Sequence, residues 1–107
     1  MNIVTRFLSG VASSSTISKY LGDGATLIDV RTKQEFEEGS LPHALNIPLD
    51  LVLSEIPNLE ERGKLILFCQ SGMRSKMALQ FIKSNSAVDA INAGSYDHLA
   101  HSLKYKN

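Results

Sequence analysis

Short apolar runs alternate along the chain with stretches whose apolar positions recur at helical spacing. The clearest run is KLILF at residues 64–68, and ATLIDV at 25–30 has the same compactness. Both have the form of strands covered on two faces. ALNI at 44–47 is shorter, since Pro42 and Pro48 bracket it. Residues 87–91 read as a last strand, followed by a turn at Asn92-Ala93-Gly94.

Helical patterns fill the gaps. One starts at Ser14, Ser15 or Thr16 and runs towards Leu21, with Gly22-Asp23-Gly24 as its end. In TKQEFEE, Thr32 and Glu35 have capping-box spacing and Gly39 closes the helix. Residues 49–56 form a third helical pattern, with Pro57 and Gly63 marking a loop behind it. From Ser75 onward Met77, Ala78, Phe81 and Ile82 fall on one helical face, and residues 96–103 form the last helix. Strands separated by helices predict an α/β fold with a mostly parallel sheet and helices on both faces.

Composition narrows this picture without redirecting it. The 107 residues are 43% hydrophobic, enough for a single domain over residues 1–107 with its core at about 15–103. Eleven Lys and Arg balance eleven Asp and Glu, so global charge offers no case for nucleic acid or an anionic membrane. No stretch approaches the roughly 20 apolar residues that span a bilayer. MNIVTRFLSGVASSS carries an arginine within its apolar part and does not resemble a secretory leader. The expectation is a soluble cytoplasmic protein, or a periplasmic one if a leader has been removed.

Cys69 is the only cysteine, so it has no internal disulfide partner, and His43, His98 and His101 lack the spacing of a structural zinc site. No metal is expected. Cys69 directly follows KLILF, and ligands of open parallel sheets collect beyond the carboxyl ends of strands. Gly72 permits a tight turn whose N–H groups converge, and a helix starting near Ser75 adds its own unpaired N–H groups. Such a setting favours a thiolate, with Arg74 adding positive charge nearby. The same residue pattern also suits a small buried cysteine with no chemistry.

CQSGMRS after a hydrophobic strand resembles the active loop of rhodanese-type sulfurtransferases: Cys, two residues, Gly, one residue, Arg, Ser. Upstream, LIDVRTKQEFEEGSLPHALNIPL is similar to the family's Asp-Val-Arg, Glu-Phe and Gly-x-x-Pro-x-Ala-x-Asn-Ile-Pro pattern, in the same order. INAGSYDHLA resembles the Asn-Ala-Gly-Gly-Leu ending of small phage-shock-type members. The chain departs from the pattern at Ser40-Leu41-Pro42-His43, where members often have His-Ile-Pro-Gly, and at Ser95, where a second glycine is usual.

The resemblance implies a rhodanese-like fold of three layers, with a five-stranded sheet, and transfer of sulfane sulfur through a Cys69 persulfide. The donor would be thiosulfate or a related compound and the acceptor cyanide, a thiol, thioredoxin or another protein. Gln70, Ser71, Gly72, Met73 and Arg74 would bind substrate, Asp29, Arg31 and Ser75 would be structural neighbours of the site, and no cofactor would be needed. A sulfur-carrier or regulatory module without turnover is the alternative. The six-residue loop from Cys69 to Arg74 is one residue shorter than that of related cysteine phosphatases and arsenate reductases, which makes those activities a lesser reading. Glu35 is expected to cap its helix or pair with Arg31, and His43 to be a solvated loop residue or to stand at the pocket rim. Met73 and Met77 would line the site or pack.

Overall fold

The computed structural model describes residues 10–104, so the reading of residues 1–9 as no secretory leader lies outside it. The order of elements is α1 (Ser14–Gly22), β1 (Thr26–Asp29), α2 (Lys33–Glu37), β2 (Leu45–Asn46), a 3-10 turn (Leu49–Leu51), α3 (Ile56–Glu60), β3 (Leu65–Cys69), α4 (Met73–Asn85), β4 (Ala90–Ser95) and α5 (Tyr96–Lys104). Every strand pair is parallel, in the order β2-β1-β3-β4. Among the described residues no helix is long and apolar enough to cross a membrane.

β3 explains why the sheet needs two covers. Leu65, Leu67 and Cys69 project into one apolar cluster, with Val52, Leu59, Ala78 and Ile82 from the α3 and α4 side. Ile66 and Phe68 project into the other, against Ile17 of α1 and Leu99 of α5. The period of two along a strand thus serves both faces, as the unbroken apolar run predicts.

Among the described residues the sheet has four strands, against the five that the resemblance implied. Beyond β4 the pairing among the described residues is one parallel bridge, Val11 with Asn92, and Ser13 caps α1 two residues later. β4 also runs through the segment expected to turn. Its register against β3 shifts between Leu67 and Phe68, so Ala93 is bulged while the strand continues to Ser95. The helical pattern at 49–56 resolves into the 3-10 turn and α3, with Pro57 in the first turn of α3, where its missing N–H costs nothing. α4 begins at Met73, two residues before the expected start.

Candidate active site

The last residue of β3 delivers a sulfur to the carboxyl edge of the sheet. Cys69 has no exposed surface, and its Sγ accepts the Gly72 N–H at 3.0 Å and the Ser75 N–H at 3.4 Å. Gly72 stands before α4 with φ 99° and without a side-chain cap, so the helix start is capped by the cysteine sulfur. A Cβ at position 72 would also come within 3.3 Å of the Gly94 Cα. Both the positive φ and this contact require glycine.

Ser75 has one hydroxyl proton and three neighbours for it: the Gly72 carbonyl at 3.1 Å, the Gly94 carbonyl at 3.4 Å and Sγ at 3.4 Å. A neutral thiol can donate to Ser75 Oγ while the hydroxyl donates to Gly72. A thiolate can instead take the hydroxyl proton as a hydrogen bond. Burial pushes the Cys69 thiol up, but the Ser75 hydroxyl and the N–H groups of Ser75, Gly72 and Ser71 outweigh it, so the thiol lies below its ordinary value.

Arg74 is held by a carboxylate. Its guanidinium donates to both oxygens of Glu35, at 2.6 and 3.0 Å. Glu35 is itself fixed by the Thr32 N–H and hydroxyl in the capping box of α2. Arg74, followed by the Thr32 N–H, holds the Glu35 carboxyl down at about 2. The positive charge expected beside the sulfur is therefore largely compensated. Glu35 caps α2 as expected, but its arginine is Arg74, because Arg31 is claimed by Asp29 on the same strand end.

Asp29 and Arg31 form a buried pair behind the loop. Arg31 Nε lies 3.0 and 3.1 Å from the two Asp29 oxygens, and its second terminal nitrogen is 2.8 Å from Oδ2 and 2.7 Å from the Gly39 carbonyl. Ser40 donates to Asp29 at 2.7 Å, and Asn46 Nδ2 donates to the carbonyls of Asp29 and Arg31. Hydrogen bonding to Asp29 holds the guanidinium above its ordinary value despite burial, and the group lies over the Tyr96 ring. These contacts join the end of β1 to the 39–46 connection and the start of α5.

Of the remaining loop residues, Gln70 and Ser71 are exposed, and Met73 is 66% exposed. Beside Arg74 a cavity of about 290 Å³ is lined by Val30, Pro48, Leu49, Met77 and Phe81. His43, with φ 66°, borders a separate cavity with Leu21, Ala25 and Thr26, at the amino end of β1. It is remote from the cysteine loop. Asn92 and Gly94, expected as a turn, stand beside this loop; the signal for them is an Asn two residues before a Gly, since Asn side chains close turns onto such N–H groups.

A parallel sheet that ends one of its inner strands in a cysteine, with the sulfur inside a cradle of loop and helix N–H groups, defines an α/β domain with a cysteine at its candidate site. The family description Rhodanese-like domain matches residues 13–103, and the chain belongs to that family. It is 36% identical over 88 residues to the human protein named thiosulfate:glutathione sulfurtransferase, covering 67% of this chain and 76% of that one. With a protein of Allochromatium vinosum named sulfurtransferase it shares 34% identity over 71 residues, 64% of this chain and 66% of the relative, just under two thirds of its length. The structure of a human single-domain sulfurtransferase superposes with a TM-score of 0.71 at 28% identity, covering 92% of this chain and 98% of the other.

Proposed function

We propose that the protein is a sulfurtransferase that loads sulfane sulfur from thiosulfate or a related donor onto Cys69 and passes it to cyanide or a thiol. The observation that carries this is the buried Cys69 Sγ accepting the Gly72 and Ser75 N–H groups at the head of α4. The name of the human relative supports thiosulfate as donor and a small thiol as acceptor.

In the first step the Cys69 thiolate attacks the outer sulfur of thiosulfate. An S–S bond forms, the old S–S bond breaks, and sulfite leaves with its electron pair. The persulfide keeps one negative charge, which the N–H groups of the cradle stabilise as they do the thiolate. In the second step cyanide or a thiolate takes the terminal sulfur and Cys69 returns to its starting state. Arg74, oriented by Glu35, assists with the anionic part of the donor through its remaining N–H groups. Exposed Met73 and Met77 provide an apolar, polarisable lip for an acceptor. Both steps use only the Cys69 sulfur, the donor and the acceptor, and so call for no cofactor. The short loop supports sulfur transfer over phosphatase chemistry, since a tetrahedral oxyanion needs a wider ring of N–H donors.

Incubation with thiosulfate followed by intact-mass measurement tests the loading step: the protein gains one sulfur, about 32 Da, and Cys69→Ser gains none. An adduct-free wild-type protein with every sulfane donor overturns the proposal. Loading without steady-state turnover on cyanide or thiols would assign a carrier.

A further inference from the structure

We propose that Asn92 is a positioning residue that holds the Cys69 cradle in its sulfur-binding geometry through Gly94 and Gly72. Asn92 is 1% exposed, and its Oδ1 accepts the Gly94 N–H at 2.8 Å. Its Nδ2 has no hydrogen-bond partner among the described residues. Burying an unpartnered amide is unfavourable, so the stabilising contribution of this side chain's polar group comes from its oxygen. That oxygen is needed where it lies. The register of β4 against β3 shifts just before Gly94: Ala93 is skipped and Gly94 resumes the pairing opposite Phe68, so the Gly94 N–H lies at the edge of the bulge. Asn92 closes onto it within the strand.

Gly94 in turn stands against two residues of the cradle. With φ 81° it lies close enough to Gly72 that a Cβ there would be 3.3 Å from the Gly94 Cα, and its carbonyl is 3.4 Å from Ser75 Oγ. Gly72 and Ser75 both give their N–H groups to the sulfur. Hydrogen bonds thus run from Asn92 through Gly94 and Ser75 to Cys69, with Gly72 held close alongside, although Asn92 is not itself a partner of the sulfur. Release of Gly94 would let Gly72 and Ser75 relax away from the thiolate. The consequence for turnover rests on the sulfurtransferase reading, whereas the state of the thiol does not.

Asn92→Val and Asn92→Thr form a matched pair, similar in shape but differing in one hydroxyl that can accept the Gly94 N–H. Alkylation of Cys69 by iodoacetamide, followed by intact mass across pH, reads the thiolate without any sulfur donor. The midpoint of the valine variant's pH profile should move up, leaving about three- to tenfold less thiolate near pH 7 relative to its own high-pH plateau, while the threonine variant stays close to wild type. A valine variant that is less stable in urea but keeps the wild-type pH profile would show a merely structural role and overturn the inference. Equal displacement in both variants would overturn it too. If the variants do not fold, wild-type hydrogen exchange decides: the Gly94 amide should be protected, and exchange at the rate of an open loop would refute the closure by Asn92. Normal results here together with no sulfur loading would sink the sulfurtransferase reading alone.

Discussion

Ser75 supplies both a backbone N–H and a hydroxyl to one sulfur, and only the hydroxyl is lost in Ser75→Ala. Since that hydroxyl is the largest of the contributions that lower the Cys69 thiol, the variant's thiol should titrate at higher pH. Less thiolate is then present at neutral pH, so sulfur loading should slow several-fold near pH 7 and recover as pH rises, which a pH–rate profile checks. Glu35 gives a second titration. Its carboxyl lies at about 2 in the folded protein against an ordinary 4.5, so the unfolded chain binds more protons between those values. The resulting stability is complete above about pH 4.5 and disappears as pH falls through 2. In urea titrations Glu35→Gln should be less stable than wild type by about 1 kcal/mol at pH 6, a figure discounted for the solvent screening of a partly exposed pair, and equal to it near pH 2.

The cradle is assembled by the ends of elements, and substitutions there should uncouple chemistry from stability to different degrees. Gly72→Ala puts a side chain at φ 99° and against the Gly94 backbone. It should lose sulfur loading and about 1–3 kcal/mol of stability, measured by mass and by denaturant unfolding. Thr32→Ala removes the cap of α2 and a support of Glu35, at a cost of about 1 kcal/mol by the same unfolding measurement. Much of this was legible in the chain. Thr32 and Glu35 announce their capping box by spacing, and KLILF announces a doubly covered strand. The bulge in β4 was not legible, because Asn92-Ala93-Gly94 has turn composition and only pairing with β3 keeps it extended. Nor was the Arg74–Glu35 pair, which joins residues 39 positions apart.

Across the whole molecule β3 is common to both apolar clusters, so its loss cannot be absorbed by one layer. Leu67→Ala, at a fully buried position, should cost about 2–5 kcal/mol in urea unfolding, a large share of the roughly 5–15 kcal/mol of a typical domain. The order of layers followed from alternation of strands and helices. So did the four strands, each with its own apolar run, whereas the fifth that the resemblance implied is represented among the described residues by a single bridge at Val11. The complete burial of Cys69 has one more consequence. Two such sulfurs on separate molecules cannot approach to the disulfide length of about 2.05 Å without opening their loops. The folded protein should therefore keep in air at high concentration with little covalent dimerisation, and a non-reducing gel should show its single thiol as a private one.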